Sequence, residues 1–512
     1  MHYQLDRPHR LIPDSFIEEL AKADDTNRQR KVKEIQQHLL RAAPLMSRRV
    51  IAGLVRLAEG VTFALAAVVA YVAYVAEYGA FVTVTAMAIV LVSCVGYSIF
   101  AAISGLYKVT ALLHPAENLS KLYFCVLSVF AIMFAGLFFT KYGGNISRVW
   151  LGSWFVLAAG LLTVLRFGAA SIVRHWNANG QLDRRAVLIG GGKPAADLME
   201  ALEASHDVDI QVIGIFDDRD DERSPVVVSG VPKLGMADEL ADFVRKTRVD
   251  LLIVTLPVSA EKRLLEVLMK LWILPVDIRL SAYTQQLRYR PRAYSYIGNL
   301  PFLDVFDKPL SDWDVVFKSI EDRIISAIAI LALLPVMAVT ALAIKLESKG
   351  PVLFRQKRYG FNNELIEIYK FRSMYTDQCD ATASKLVTRD DPRVTRVGKF
   401  IRRTSIDELP QLFNVLKGEL SLVGPRPHAT QAKARDSFYE EVVEGYFARH
   451  KVKPGITGWA QVNGWRGETD TVEKIQRRVE HDLYYIENWS VAMDLYILFK
   501  TPLSLVTTKA AY

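Results

Sequence analysis

Cysteine is scarce in this chain: three residues in 512, Cys94, Cys125 and Cys379. Two of them lie in apolar stretches, and no CxxC or Cys/His spacing occurs. That excludes a disulfide framework and a thiolate metal site, and it suits a reducing compartment. No base-reading motif is present, so the excess of 63 Lys+Arg over 55 Asp+Glu, a net charge of +8, does not point to nucleic acid. No signal-peptide pattern opens the chain. Residues 1–47 are polar and read as a cytoplasmic N-terminal tail. Charged residues make up only 23% against 51% hydrophobic, which argues against a purely soluble protein. A basic balance of this kind suits a membrane surface or phosphates as partner.

Long apolar runs supply what the composition implies. Four stretches, at 60–76, 78–107, 122–140 and 149–165, are close to or above the ~20 residues that cross a bilayer. Arg48, Arg49 and Arg56 flank the first, Lys108 and Lys121 bracket the loop after the second, and Arg166, Arg174, Arg184 and Arg185 follow the fourth. The positive-inside bias then puts both ends of this bundle, residues 48–176, in the cytoplasm. No run of ionisable residues lines its interior, so it reads as an anchor and oligomerisation module. A fifth stretch, 324–344 ("IISAIAILALLPVMAVTALAI"), carries Pro335 near its middle and charges at both ends: Lys318, Asp322 and Arg323 before, Lys345 and Lys349 after. A re-entrant helix that breaks at Pro335 and returns to the same face satisfies both features. A straight spanning helix is the competing reading.

Residues 177–309 alternate strand and helix, as a Rossmann-like domain does. Gly190, Gly192 and Ala195 fit G-x-G-x-x-G/A, and Asp217 and Asp218 close the next strand. A membrane-bound NAD-dependent sugar-nucleotide enzyme would use such a fingerprint. However, "SAYTQQLRYR" has Tyr283 but no lysine four residues on, and the domain is short. A scaffold without cofactor, or with a regulatory ligand, is the preferred reading.

Past the fifth apolar stretch, motifs are dense: "GPVLFRQKRYG", "IYKFRSM", "DDPRVTRVGKFIRRTSIDELPQLFNVLKGELSLVGPRP" and "RHKVKPGITGWAQVNGWRG". Arg358, Lys370, Arg372, Arg393, Arg402, Arg403 and Arg426 recur among glycine and proline turns, a surface suited to phosphate oxyanions. Within it "TSIDELPQ" sets Asp407 beside Glu408. Ser405-x-x-Glu408 fits a capping box, with Pro410 in the first helical turn. Asp377, Asp390 and Asp391 read as turn residues or partners of a metal or guanidinium, His428 and His450 as structural or phosphate-proximal, Pro454, Gly455 and Gly458 as shaping a loop over a nucleotide, and Trp459 as core or membrane-interface packing.

These motifs closely resemble the bacterial sugar transferase family, the polyprenyl-phosphate hexose-1-phosphate transferases or monotopic phosphoglycosyl transferases, over about residues 310–512. The preceding bundle and Rossmann-like domain are similar to the family's large exopolysaccharide-type members. The implied fold is a membrane α-helical bundle, a Rossmann-like α/β domain and a membrane-associated mixed α/β catalytic domain with a re-entrant helix at 324–344. Some members have Ser-Pro at its bend, whereas Leu334 precedes Pro335 here.

The resemblance implies Asp407 as nucleophile on the β-phosphorus of a UDP-sugar, giving a phosphosugar–aspartyl intermediate and UMP. Undecaprenyl phosphate then takes the phosphosugar. Glu408 would bind Mg2+, and Arg426 of the Pro-Arg-Pro motif a phosphate. Glucose-1-phosphate is the expected group, with galactose-1-phosphate or an N-acetylhexosamine-1-phosphate as alternatives. The expected site is the bacterial inner membrane, and the bundle and Rossmann-like domain both offer surfaces for a homodimer.

Overall fold

The structure is a computed structural model. It describes residues 12–507 apart from 24, 41–46, 75–83, 142–145, 206–209, 220–223, 257–259, 282–294, 298–299, 377–390, 428–432, 435–436, 439–445 and 467–470. Cys379, Tyr283, Asp377, Asp390 and His428 therefore lie outside the described residues. Two compact units emerge. One covers Ala42–Asp183, and the other joins Ile12–Arg41 to Arg184–Tyr512.

Helices Arg48–Tyr74, Val84–Ile103, Leu119–Phe139 and Arg148–Ala178 build the first unit, each long and apolar enough to cross a membrane. Leucines and valines such as Leu65, Leu91, Leu127 and Val164 face outward. The inside is aromatic: Trp154 packs edge-on to Phe63 at 5.2 Å and to Phe130 at 5.0 Å between ring centroids. Small Ala66, Ala67, Ala101 and Ala158 let the helices approach. The sequence reading treats this interior as bland, yet it holds a buried ion pair. Glu59 on the first span meets Arg166 on the fourth, and neither side chain is more than 3% exposed. Tyr97 donates to Glu59 at 2.9 Å, and Arg166 donates to the Leu106 carbonyl at 2.6 Å.

In the second unit, eight strands form one sheet: β1 (Arg184–Ile189), β2 (Ile210–Phe216), β3 (Val227–Val228), β4 (Val231–Gly235), β5 (Leu251–Val254), β6 (Asp277–Ser281), β7 (Ser295–Ile297) and β8 (Leu300–Phe306). Their order is β3-β4-β2-β1-β5-β6-β8-β7. The middle five pair in parallel and reverse direction of winding at β1, the switch point of a doubly wound fold. β1 and β5 are buried almost throughout, as parallel central strands require. The N-terminal segment is not a free tail: helices Asp14–Ala21 and Asp25–Leu40 lay Leu20, Ile35 and Leu39 into a buried face. Gln36 donates to the Leu234 carbonyl of β4 at 3.1 Å.

The same unit continues with a helix over Asp312–Glu347, opened by a Ser311–Asp314 capping box. Here the sequence reading needs correction: Pro335 does not break this helix. It lacks the N–H of one helical hydrogen bond, but the flanking turns keep theirs and the helix runs through. Both ends hold the same domain. Asp322 accepts from Leu422 N–H at 2.9 Å and Lys318 pairs with Asp494 at 2.5 Å. At the far end Glu347 accepts from the N–H groups of Arg396 and Val397 at 2.7 and 3.0 Å. In between, Ile328, Leu331, Leu334, Val339 and Leu342 are exposed. A hairpin of Leu353–Tyr359 with Leu365–Phe371, the helices Arg396–Arg403 and Gln411–Lys417, and the parallel strands Ser421–Val423 and Gly455–Thr457 complete the core with helices Val472–Glu487 and Val491–Thr507.

Candidate active site

"TSIDELPQ" does not form the capping box its spacing suggests. Helix Arg396–Arg403 ends at Thr404, and Ser405 turns left-handed at φ 58°. Ile406–Glu408 then make a single 3-10 turn before Pro410 leads into Gln411–Lys417. Glu408 does not reach back, because stronger partners claim it. Its Oε1 accepts from Lys370 Nζ at 2.9 Å and from Arg426 Nη2 at 2.6 Å. Ser405 Oγ instead accepts from Arg466 at 2.8 Å. Two cations on a buried carboxylate outweigh a backbone cap.

The convergence is built by Asn414. Fully buried, it donates to the Glu367 carbonyl at 2.7 Å and accepts from Tyr369 N–H at 3.0 Å. It thus acts as a short stretch of strand edge, fixing the helix after the dyad to the strand that carries Lys370. Arg426 is fixed by its backbone: Arg449 donates to its carbonyl at 2.8 Å, itself paired with Asp482 at 2.5 Å. Next door, Gly455 N–H bonds Pro425 O at 2.9 Å.

Burial pushes the Asp407 carboxyl up to about 6, and the charge of Glu408 adds to this against Lys370, Arg402 and Arg426. For Glu408 burial acts the same way, but Arg426 and Lys370 outweigh it and hold the carboxyl far below the usual range. Two adjacent carboxylates are thereby set apart, one ionised throughout and one poised near neutrality. Asp407 accepts no side-chain hydrogen bond from a described residue, which leaves its lone pairs available. Arg358 completes the cluster: burial first, then Arg426, lowers it to about 10.

Of the cations named from sequence, Lys370, Arg358, Arg402 and Arg426 gather around the dyad; three do not. Arg372, 3% exposed, spends its guanidinium on the Ser348 and Lys349 carbonyls at 2.9 and 2.6 Å, clamping the end of the long helix. Arg393 grips Asp391 through paired bonds of 2.6 to 3.0 Å. Arg403 is exposed. His450 is buried and held neutral, down to about 3, first by burial and then by Arg449 and Arg245. Trp459 packs on Tyr484 at 5.9 Å. Sequence reasoning missed Asn414, Arg449, Asp482 and Arg466. Asn414, Arg449 and Arg466 lie inside the motifs of the sequence without standing out there, and Asp482 lies outside them.

Magnesium usually takes one or two carboxylates and completes its shell with substrate phosphate and water. The dyad fits that: Glu408 is ionised, and its Oε2 has only a 3.4 Å contact to Arg426. No group of three or more His, Cys, Asp or Glu side chains suited to a metal occurs among the described residues.

Residues 313–508 match the family model described as bacterial sugar transferase, and residues 102–282 match one described as a CoA-binding domain. The chain is 40% identical over 351 residues to the undecaprenyl-phosphate glucose phosphotransferase of Komagataeibacter xylinus, covering 68% of this chain and 64% of that protein. It is 34% identical over 386 residues to the UDP-glucose:undecaprenyl-phosphate glucose-1-phosphate transferase of Xanthomonas campestris pv. campestris, covering 75% and 79%. It is 47% identical over 187 residues to the UDP-N-acetylgalactosamine-undecaprenyl-phosphate N-acetylgalactosaminephosphotransferase of Aeromonas hydrophila, covering 36% and 43%. With one of these relatives matched over more than two thirds of its length, the chain belongs to the bacterial sugar transferase family.

Proposed function

We propose that this protein transfers glucose-1-phosphate from UDP-glucose to undecaprenyl phosphate, releasing UMP, as the first step of an exopolysaccharide. The carrying observation is the dyad: a half-buried Asp407 that accepts no hydrogen bond from a described side chain, beside a Glu408 tied to Lys370 and Arg426. Asp407 and Glu408 contribute two negative charges and Lys370, Arg358, Arg402 and Arg426 four positive ones, so the cluster carries a surplus that suits a diphosphate.

Asp407 attacks the β-phosphorus, and the bond to the UMP oxygen breaks, leaving a phosphosugar–aspartate. The phosphate oxygen of the lipid then attacks the same phosphorus, and the Asp407 carboxylate departs unchanged. Arg426 and Lys370 orient Glu408 and balance phosphate charge. A magnesium ion held by Glu408 would neutralise the diphosphate and its leaving group.

The long helix supports a one-sided membrane seat for this chemistry. From Asp322 to Glu347 it spans about 37 Å, yet both ends bond the same domain while the face between exposes leucine and valine. A helix that lies along one face of the inner membrane, its apolar side in the lipid and both ends tied to a cytoplasmic catalytic domain, accounts for these contacts without a break at Pro335.

Glucose is the sugar in the names of the relatives aligned over most of the chain. The relative named for N-acetylgalactosamine is more similar over a shorter stretch, so the choice of sugar does not follow from overall similarity. Purified protein with magnesium, undecaprenyl phosphate and a panel of UDP-sugars tests the reading by UMP release. Release with UDP-glucose alone is expected; no release with any sugar overturns it.

A further inference from the structure

The Rossmann-like domain has the parts of a pyrophosphate cradle. The Gly190–Gly192 turn follows β1, opens helix Lys193–Ala204 and lies at the sheet's switch point, where such folds take an anionic ligand. Gly190 and Gly192 have φ of 94° and 72°, conformations that call for glycine.

The cradle is already filled by the chain itself. Asp217, at the end of β2, places Oδ2 2.6 Å from Gly191 N–H, a donor that a pyrophosphate would use. Arg219 closes over it: Nη2 reaches Oδ2 at 2.8 Å, Nε reaches both oxygens at 3.0 and 3.1 Å, and the Arg219 N–H reaches Oδ1 at 3.1 Å. Arg219 Nη2 also donates to Gly191 O at 2.7 Å, tying the clasp to the turn. A methyl group on Gly191 would lie 2.1 Å from Ser224 Oγ, so that hydroxyl also packs against the turn. Asp217 and Ser224 are 6% and 0% exposed. In the dinucleotide fingerprint the acidic residue receives a ribose; here it sits in the turn.

We propose that Asp217 is a built-in anionic ligand: its carboxylate, neutralised by Arg219, occupies the seat of a nucleotide phosphate. The domain is thereby held in its ligand-bound form without coenzyme A, a nicotinamide dinucleotide or a sugar nucleotide. An incoming phosphate would meet a carboxylate of its own sign and find the Gly191 N–H engaged. Removing that carboxylate leaves a backbone N–H and a guanidinium around an empty anion seat, which free phosphate fits.

The test uses the full chain in detergent and radiolabelled inorganic phosphate in equilibrium dialysis. Asp217→Ala is expected to bind one more phosphate per chain than the wild type, and phosphate, unlike chloride at equal ionic strength, raises its thermal midpoint. Arg219→Ala gains no phosphate, because the carboxylate stays. A folded Asp217→Ala with no added phosphate overturns the proposal. Should that variant not fold, the wild type decides. It is expected to bind neither coenzyme A nor NAD+, and binding of either that Gly191→Asp abolishes overturns the proposal equally.

Discussion

At the scale of single residues, Asp407 and Glu408 divide their work through surroundings, not position. In the proposed mechanism Asp407 acts as carboxylate, so activity should fall as pH drops through its value near 6. The acid limb of kcat/KM for UMP release checks this; a limb centred near 4 would contradict it. Asp407→Asn removes the proposed nucleophile, and turnover should drop roughly 10³-fold or more. Labelled UDP-glucose without lipid acceptor should then mark wild type but not the variant. Because burial raises the folded-state value above the unfolded one, ionising Asp407 costs stability as pH rises from about 4 to 6. Asp407→Asn should therefore be the more stable protein at pH 7.5, by about 1 kcal/mol after allowing for partial exposure, read from thermal or urea unfolding. Arg426→Lys keeps a charge but loses the fork on Glu408, and should retain less activity than charge alone predicts.

At the scale of elements, the long helix and its clamps matter most. Arg372 is legible in sequence only as one more cation. Burial and two carbonyl partners make it a lock on the helix end instead. Arg372→Met should cost about 1–3 kcal/mol of stability, since it removes the hydrogen bonds a buried guanidinium makes to the Ser348 and Lys349 carbonyls, while the remaining folded enzyme keeps its KM for UDP-glucose. Placement of the helix is tested by single cysteines at Lys308 and Lys349 in a chain without the native three. Both should label from the cytoplasmic face; labelling from opposite faces would mean a true crossing. The capping box shows how local pattern loses to tertiary charge. Ser405-x-x-Glu408 matches the motif without forming it, whereas Ser311–Asp314 forms the box, with no cation among the described residues competing for its carboxylate.

At the scale of the whole molecule, the two units rest on different stabilising forces. Lipid-facing helices gain little from apolar burial against each other, so packing and polar ties carry the bundle. Glu59 with Arg166 is such a tie. Glu59→Gln or Arg166→Leu strands a buried charge and should destabilise the bundle by about 3–5 kcal/mol, whereas replacing both with apolar residues should restore most of it. Thermal unfolding in detergent measures this, with transfer per folded molecule unchanged.

Much of this protein was determined by sequence alone. Apolar runs near bilayer length mark the spans, alternation marks β1, β2, β5 and β6, and a dense order of turns and arginines marks the catalytic domain. These are local or periodic signals, written in neighbouring residues. Which arginines serve the dyad was decided only by tertiary structure. Lys370 and Arg426 reach Glu408 across 38 and 18 residues of chain, while Arg372 and Arg393 turn away. Glu59 finds Arg166, and Asp217 fills its own glycine turn, for the same reason. A buried charge takes the partner that folding brings within hydrogen-bond reach, and separation along the chain does not encode that reach.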